Sequence, residues 1–585
     1  MKKILFVLLL VAGCLPAVAQ WSDNPEENNR VSPQNSNIYE SYYKVLPDGT
    51  TYLVFNRPFQ GSTVTFLQII DKDGKMLFPE EGKIISQYPT RTYTVVNNLL
   101  ITDSDNNAII AVHDGRNSSG NYPDLSYSAY KVSPAGEMLW GDNGIDLNQG
   151  HCFQFSAFMQ IIQLEDKSYV FAWESRDRDS EPMGIKMQRL SVSGEFKWEN
   201  YVELKDDQIP YTYPYLTNAG NNQFNLVYAK GSNQDIMVRK IDFDGQNVWP
   251  QDTRVYRGGF PSVPLHTMLR TAVGPNGGVF VGWNDDREMT NKESTYVSLV
   301  KPDGSLAFSS GDQGEKVGYA DLRGFAPDMI YDETENCLFV AWREISKQGG
   351  YQRISAQRVE MTGELKWGPE GIEVSPLDVI PTSYNCITGA GAGQTTVFFM
   401  QQHNAGYGNV LGYAVRLDKN GNRVWGEEPV VFTNYTSEKG GLKTSPLINN
   451  SHWLTMWSDS RQSASDDPEK STSGVYMQKV NMDGTLGTPG ASVENAKADG
   501  NAFNAIPNVI EENTVFAFNN ANQGLVDISI YSLSGQKVAV ACHQAMDKGL
   551  REISWNAKSE NLAGGVYVAT ITTASGKESV RIILK

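Results

Sequence analysis

The chain has 585 residues, of which 20% are charged and 11% aromatic, with 53 Gly and 26 Pro. This composition is typical of turn-rich globular domains, and the length exceeds one ordinary core, so two or three domains are expected. The net charge of −17 repels phosphate backbones and anionic lipid, which argues against nucleic acid and membrane surfaces as partners.

The first 19 residues have the features of an export signal. Two lysines precede an apolar stretch, and Ala17-Val18-Ala19 forms an A-x-A cleavage site before Gln20. The stretch is too short to span a bilayer, as is every later one. Val11-Ala12-Gly13-Cys14 also matches a lipoprotein box, so acylation of Cys14 stays open as an alternative. We therefore expect a secreted or cell-surface protein, with attachment to the outer membrane as an option.

Four cysteines follow the signal, namely Cys152, Cys337, Cys386 and Cys542. The sequence does not choose among their three pairings. Because they are widely scattered and lack metal-ligand spacing, we expect small buried hydrophobic side chains rather than a disulfide framework. The six histidines form no paired-ligand motif either. No cofactor or metal is expected.

A repeated segment organises most of the chain: a strand ending in a basic and an aliphatic residue, a Gly turn, and an aromatic residue four positions after the Gly. The turn glycines are Gly74, Gly136, Gly194, Gly245, Gly304, Gly363, Gly421 and Gly484. The aromatic residue is Trp in several copies (Trp140, Trp198, Trp367 and Trp425), Phe in two (Phe78 and Phe308), and absent after Gly484.

Each copy is predicted to form four antiparallel strands, because turn signals divide it and no helical stretch is present. In the sixth copy we predict strands at Asp328–Tyr331, Cys337–Trp342 and Ile354–Val359, with a fourth beginning in Glu364–Trp367. Radial repetition hides the edges of such sheets. The predicted fold is therefore an all-β propeller of about eight blades, or seven if an end copy is degenerate.

The second strand of several copies ends in an aromatic residue, an acidic residue and Arg. This signature is present at Trp173–Arg176, Trp283–Arg287 and Trp457–Arg461, with a weaker version at His113–Arg116. The simplest role for each Arg is a structural pair with the nearby carboxylate, rather than a clamp on a substrate carboxylate. Strand end and hairpin together resemble a group of secreted Bacteroidetes propeller proteins with W-x-D-x-R and G-x-x-x-W in each blade, over about residues 38–490.

Other motifs are explained more simply by a structural role than by metal binding, phosphate binding or catalysis. Asp71-Lys72-Asp73-Gly74 has alternating carboxylates but lacks the further ligands of a calcium loop, which predicts a plain hairpin turn. The hairpin is close to the Asp-box of sialidases, but its aromatic residue lies four rather than three residues after the Gly. Residues 389–393 are rich in Gly but lead into a strand, unlike a phosphate-binding loop. No catalytic constellation is predicted.

After about residue 490 the repeat stops. We divide the chain into a signal peptide (1–19), an N-terminal segment (20–37), the propeller (38–490), a small, polar, Asn-rich linker (491–506) and a small Ig-like β-sandwich of six short strands (507–585).

The sandwich carries three recognisable elements: Val526–Val538, Leu562–Val568 with Gly565 and Tyr567, and Ser579–Lys585 with Arg581 and Lys585. They resemble the central hairpin, the L-x-x-G-x-Y element and the basic-aliphatic last strand of type A sorting domains of the type IX secretion system. The resemblance implies export across the outer membrane, removal of the domain by the sorting protease, and release or attachment to a surface glycolipid.

These features predict a non-enzymatic module that binds a protein or a glycan outside the cell. Its partners would be the type IX machinery, the sorting protease and an extracellular ligand. Binding is expected in loops that differ between copies, the longest being Gly115–Asp124 and Gln462–Gly474. Two alternatives stay open. A divergent glycan-acting hydrolase of the sialidase or glycosidase kind needs paired carboxylates at a central pocket, and a surface-layer component would self-associate.

Overall fold

A computed structural model describes residues 21–33, 38–90, 99–117, 126–151, 153, 155–177, 181–259, 269–287, 293–318, 322–346, 350–403, 408–461, 473–488, 503–510, 512–532, 536–560, 562–574 and 576–585. The predicted signal peptide, Cys14, Cys152 and most of the predicted linker lie outside these residues. The chain divides into two compact units, with the boundary between Ser492 and Val493. In the described ranges no helix is long and apolar enough to cross a membrane.

The first unit contains eight four-stranded antiparallel sheets, which confirms the predicted fold class with eight blades. Each blade has strands A to D in spatial order. Blade 1 comprises Tyr39–Val45, Thr51–Phe59, Ser62–Ile70 and Lys83–Thr90; blade 2, Leu99–Thr102, Ala108–Asp114, Ser126–Val132 and Ile145–Asp146; blade 3, Phe155–Gln163, Tyr169–Arg176, Gly184–Leu190 and Val202–Leu204; blade 4, Tyr211–Gly220, Gln223–Lys230, Asp235–Asp242 and Thr253–Tyr256. Blade 5 comprises Arg270–Val273, Val279–Asp285, Ser294–Val300 and Glu315–Lys316; blade 6, Leu322–Asp332, Cys337–Ser346, Gln352–Glu360 and Ile372–Glu373; blade 7, Thr382–Gly391, Gln394–Gln402, Val410–Leu417 and Val430–Thr433; blade 8, Lys439–Thr444, His452–Asp459, Gly474–Asn481 and Asn29–Arg30. Short 3₁₀ turns lie at Pro275–Gly277 and Gly311–Gln313.

The position of the fourth strand differs from the prediction. Glu364–Trp367 does not begin the fourth strand, because Val359 and Leu365 form only a single bridge across the hairpin. Strand D of that blade comes later and is short, at Ile372–Glu373. Strands A and B of every blade, and strands C and D of blades 1 to 7, are joined at one end of the blade, which we call the hairpin face. The B–C and D–A connections lie at the other end, the loop face.

The blades form a closed ring. Because side chains of a strand alternate between its two faces, each blade contributes apolar residues to the blade before it and to the blade after it. Eight such cores lie between successive blades. One of them joins blade 8 to blade 1 and includes Tyr43, Phe55, Leu454 and Met456.

The repeated glycines and aromatic residues meet between blades rather than within them. Each turn glycine has a φ of +82° to +92°, which favours Gly, and packs under the aromatic ring of the preceding blade. The eight pairs, which we call the hairpin ring, are Trp21–Gly74, Phe78–Gly136, Trp140–Gly194, Trp198–Gly245, Trp249–Gly304, Phe308–Gly363, Trp367–Gly421 and Trp425–Gly484. The six tryptophans also donate their indole N–H to a carbonyl of that next hairpin, at 2.8 to 3.2 Å.

Within the predicted N-terminal segment (20–37), the described residues 21–33 belong to the propeller and are not separate from it. Asn29–Arg30 is strand D of blade 8, and Trp21 is the aromatic residue that the last repeat lacks after Gly484. The backbone of Trp21 accepts a hydrogen bond from the N–H of Thr488 at 2.9 Å. The first described residues thus complete the last blade.

The second unit is a sandwich of a three-stranded and a five-stranded sheet. The first contains Asn504–Ile506, Asn513–Asn520 and Gly549–Asn556; the second contains Val509–Ile510, Gly576–Leu584, Gly565–Thr573, Gly524–Ser532 and Lys537–Met546. A 3₁₀ turn lies at Ala557–Glu560. The core includes the buried side chains of Phe516, Ile528, Ile530 and Trp555. Two of the eight strands were not predicted, and Asn504–Ile506 lies inside the predicted linker.

Candidate functional site

The W-x-D-x-R strand end forms a closed hydrogen-bond unit. In blade 5, the buried carboxylate of Asp285 accepts the indole N–H of Trp283 at 2.7 Å. It also accepts two hydrogen bonds from the guanidinium of Arg287, at 2.8 and 2.7 Å. Such bidentate geometry is the strongest form of the Arg–carboxylate pair.

The same unit recurs in blade 8, and its Asp–Arg pair recurs in blade 2, where Val112 occupies the Trp position. Asp459 accepts the indole N–H of Trp457 at 2.9 Å and two hydrogen bonds from Arg461, at 3.0 and 2.7 Å. Arg116 binds both oxygens of Asp114 at 3.0 Å. Burial opposes ionisation of Asp459, but Arg461 and the buried Lys439 hold its pKa below the usual range. The predicted structural pairing of these arginines is therefore present.

Each of these guanidinium groups also lies between two tyrosine rings. One ring comes from strand C of the same blade, and the other from the end of the preceding blade. The centroid distances are 5.9 and 4.8 Å for Arg116 (Tyr130, Tyr88), 3.6 and 4.4 Å for Arg287 (Tyr296, Tyr256) and 4.3 and 4.6 Å for Arg461 (Tyr476, Tyr435). Cation–π contact on both faces makes the unit a clasp between neighbouring blades.

Blade 3 departs from the pattern. Contrary to the prediction, Arg176 does not occupy a position equivalent to those of Arg287 and Arg461. Trp173 and Trp283 each pair with the third residue of strand C in their blade. The acidic residue of the motif, however, follows Trp173 by one position and Trp283 by two. Glu174 therefore faces the next blade, where its carboxylate accepts the backbone N–H of Tyr213 at 2.9 Å. Burial raises the pKa of Glu174 to about 7.

Blade 6 contains a related unit that the sequence analysis missed. Glu344 accepts the indole N–H of Trp342 at 3.0 Å, the hydroxyl of Ser355 at 2.6 Å and the Nε of Arg353 at 2.5 Å. The Arg comes from strand C instead of the strand end. The W-x-E spacing in strand B was the available signal.

The remaining predicted residues lie in structural positions. Gly136, Gly194, Gly363 and Gly421 and their tryptophans belong to the hairpin ring described above. Asp71 Oδ1 accepts the backbone N–H groups of Asp73 and Lys75, so this carboxylate stabilises a turn. Residues 389–393 form the A–B hairpin of blade 7. Cys337, Cys386 and Cys542 are free thiols, of which Cys337 and Cys542 are buried. Within the described ranges, no group of three His, Cys, Asp or Glu could hold a metal ion.

The residues assigned to the sorting signal lie on the two last strands of the sandwich. Gly565 and Tyr567 are on one strand, and Arg581 on its antiparallel partner, with Lys585 directly after it. The Tyr567 hydroxyl donates to the backbone carbonyl of Ala563 at 2.9 Å. Arg581 and Lys585 are exposed.

The innermost strands place one equivalent residue from every blade around the propeller axis. In each strand A, this residue pairs with the strand B residue just before the Trp position of the motif. The eight members, which we call the channel ring, are Tyr42, Leu99, Gln160, Tyr215, Arg270, Asp328, Cys386 and Lys443. All eight are half-buried, whereas their strand B partners are buried. The eight residues therefore surround the propeller axis, and Tyr42, Leu99, Tyr215 and Cys386 also pack against the cores between blades.

Contacts link several neighbours of the channel ring. The Lys443 ammonium lies 4.0 Å from the centre of the Tyr42 ring, and the Tyr215 hydroxyl is hydrogen-bonded to Arg270. Asp328 accepts the backbone N–H groups of Met329 and Ile387 at 3.1 and 2.9 Å. Burial raises the pKa of Asp328, although these amides and Arg270 oppose the shift.

Two strained aromatic residues lie just above the channel ring, toward the loop face. A two-residue bulge precedes the ring member in several A strands. In blades 3 and 4 the bulge contains Phe158 and Tyr213, both with φ of +55°, where blade 8 has Gly441. A positive φ at a bulky residue is strained. The two rings meet edge to face, with centroids 4.9 Å apart, and Glu174 holds the backbone N–H of Tyr213.

The loops predicted to carry binding start at the same end of the molecule. Gly115–Asp124 and Gln462–Gly474 are B–C connections, so they belong to the loop face. Most of their residues, 118–124 and 462–472, lie outside the described ranges.

No protein-family model and no curated protein sequence matches the chain. Similar solved structures include an α-L-arabinofuranosidase from Fusarium graminearum (11% identity, TM-score 0.32, 52% of this chain and 88% of that one). An α-L-arabinanase from Penicillium chrysogenum complexed with arabinobiose is also similar (12% identity, TM-score 0.31, 52% and 88%). A third is the polysaccharide lyase Uly1 (11% identity, TM-score 0.37, 69% and 95%). Similarity at this level is too low to transfer an activity to this chain.

Proposed function

We propose that the propeller is an extracellular glycan-binding module whose site is the channel opening on the loop face. The observation that supports this is the strained pair of Phe158 and Tyr213 beside the polar channel ring. Backbone strain persists where the surrounding structure imposes it, and such residues cluster at binding sites. Aromatic rings next to hydrogen-bonding groups suit a sugar, which has both C–H faces and hydroxyls.

The test is a glycan-array screen of the chain from Gln20 onward. Retention of a glycan that is lost in Phe158→Ala and in Tyr213→Ala would support the site. Tyr351→Ala is the matched control, since Tyr351 is an exposed aromatic residue on the B–C connection of blade 6. The proposal fails if no glycan is retained, or if the control variant loses as much binding as the two channel variants.

A second candidate function is a glycan-acting hydrolase, which Glu174 favours. A carboxyl group with a pKa of about 7 can donate a proton at neutral pH, as glycosidic cleavage requires. Such enzymes use a second carboxyl group, and Asp328 is the carboxylate of the channel ring. A panel of chromogenic glycosides tests this function: turnover that Glu174→Gln abolishes would support it, and absence of any turnover would favour binding alone.

We further propose export by the type IX secretion system, with the sandwich as the sorting domain. The proposal is supported by the paired last strands that carry Tyr567 and Arg581, together with the signal-like first 19 residues. A chain lacking residues 507–585, expressed in a bacterium with this system, is expected to stay in the periplasm. Mass spectrometry of the exported protein decides between a start at Gln20 and acylation at Cys14. Appearance of the truncated chain outside the cell would contradict the role of the sandwich.

A further inference from the structure

Glu174 lies beside both strained aromatic residues of the proposed site. It is on strand B of blade 3, directly opposite Ala157, the residue that precedes Phe158. Its carboxylate accepts the backbone N–H of Tyr213, on strand A of blade 4, at 2.9 Å. Glu174 is 4% exposed, so water competes little for this hydrogen bond. One buried carboxyl group therefore connects the bulges of two neighbouring blades.

The conformation of Tyr213 is opposed by its local sequence. Its φ of +55° is disfavoured for a bulky residue. Pro214 follows directly, and a residue before Pro favours extended backbone with negative φ. The hydrogen bond to Glu174 comes from another blade, so it stabilises a conformation that the local sequence does not. That conformation places the Tyr213 ring against Phe158.

We propose that Glu174 is the positioning residue of the glycan site, and that its ionised form holds Tyr213 in the conformation that binds sugar. This rests on the proposed binding function, because it uses the same aromatic pair. A hydrogen bond to a carboxylate is stronger than one to a neutral carboxyl group. Since Glu174 is already buried, a sugar on the rings removes little further water from it. Loss of its proton therefore strengthens glycan binding.

Glu174 titrates near neutral pH without a charged partner. Burial raises its pKa to about 7, although the hydrogen bond from Tyr213 opposes the shift. Strand A of blade 3 contains no titratable residue. Among the described residues, no cation forms an ion pair with Glu174, and this includes Arg176 on the same strand and Lys186 on strand C. Blade 4 presents three phenols, which are uncharged at neutral pH, namely Tyr211, Tyr213 and Tyr215.

The experiment measures the affinity of the full chain for neutral hexasaccharides of glucose, mannose, galactose, xylose and arabinose at pH 5 and pH 8. These sugars do not titrate, so any pH dependence belongs to the protein. We expect the affinity of the wild-type chain to rise about fivefold between the two pH values. Its thermal midpoint should fall over the same range, because the buried carboxylate destabilises the fold. Opposite trends separate positioning from general stabilisation.

Two substitutions separate the charge from the acceptor. Glu174→Gln keeps an oxygen acceptor, so its affinity should not change with pH. Glu174→Met has none, so it should bind about tenfold more weakly at both pH values, with faster hydrogen exchange at the Tyr213 amide. Glu344→Gln is the matched control and should behave as the wild-type chain. Glu344 is 3% exposed on strand B of blade 6, and its hydrogen-bond partners lie in its own blade.

The outcomes distinguish this inference from the proposed function. A rise in affinity with pH that Glu174→Gln lacks would support positioning by Glu174, and this comparison decides the matter if Glu174→Met does not fold. Affinity that is independent of pH in the wild-type chain, or unchanged in Glu174→Met, would overturn the inference while leaving the glycan site intact. Failure of the wild-type chain to bind any hexasaccharide at either pH would overturn the proposed function, and the role of Glu174 with it.

Discussion

Trp21 is predicted to contribute a large share of the free energy that stabilises the closed ring of blades. Its side chain is 0% exposed, and its indole N–H donates to the Lys72 carbonyl at 2.8 Å. Replacing a buried Trp by Ala usually costs about 3–5 kcal/mol, which includes about 1 kcal/mol for the hydrogen bond. We therefore expect Trp21→Ala to lower the free energy of unfolding by about 4 kcal/mol.

The matched control is Trp198→Ala. Trp198 has the same place in the hairpin ring, is 7% exposed and donates to the Phe243 carbonyl at 3.0 Å. The two variants should lose similar free energy in urea unfolding. They should differ in hydrogen exchange, because only Trp21→Ala frees a chain segment at one end. The amide of Val31, which donates to Val475 at 2.9 Å, should exchange faster in Trp21→Ala than in Trp198→Ala.

Two results would refute this reasoning. A loss below about 1 kcal/mol in Trp21→Ala would show that closure does not depend on the aromatic contact. Unchanged exchange at Val31 would show that strand D of blade 8 holds to strand C without Trp21.

Three further predictions concern single residues. Gly136→Ala should lower the free energy of unfolding by about 3 kcal/mol, because its φ is +83° and a Cβ would lie 2.3 Å from an aromatic ring. Gly61→Ala is the control and should cost about 1 kcal/mol, since Gly61 has a φ of +80° but open space around it. Equal losses in urea unfolding would contradict the packing argument. Asp285→Asn should cost about 3 kcal/mol, since it leaves a partly buried Arg287 without its counter-charge, and a change in urea midpoint equivalent to less than about 1 kcal/mol would refute this. Because the pKa of Glu174 is raised from 4.5 to about 7, the native state binds this proton more tightly than the unfolded state, so the wild-type chain loses up to about 3 kcal/mol as pH rises through that window. Glu174→Gln should lack this loss, and thermal midpoints of both chains at pH 5 and pH 8 test it; a difference between them that does not change with pH would contradict the shift.

The architecture could be predicted because its signals are local and repeated. The signal for a turn with a positive-φ glycine lies within four or five neighbouring residues. Each of the eight turns can therefore be recognised from its own short segment of sequence. The pairing of Asp285 with Arg287 is equally local, because the two residues are two positions apart. The partner of each aromatic residue was not predictable in this way, since it lies in the next blade. Trp21 was missed for the same reason: it precedes the first repeat and packs on Gly74.

The candidate site was less accessible to sequence analysis. Members of the channel ring are about one blade apart in the chain and belong to seven different residue types, as Gln160, Arg270 and Asp328 illustrate. Only the strand register shows that they are equivalent. Register also explains the error at blade 3, where the order of letters in Trp173-Glu174-Ser175-Arg176 matched the motif but the carboxylate faces the opposite side of the sheet.

Closure by Trp21 also brings the two ends of the propeller together. Trp21 lies against the hairpin of blade 1, and its carbonyl binds the N–H of Thr488 at 2.9 Å, so the chain enters and leaves the propeller side by side on the hairpin face. Under the proposed export, a tether before Trp21 and an attachment after Thr488 would therefore both act on the hairpin face. The loop face, where Phe158 and Tyr213 meet, would then lie opposite the attachment point in either case.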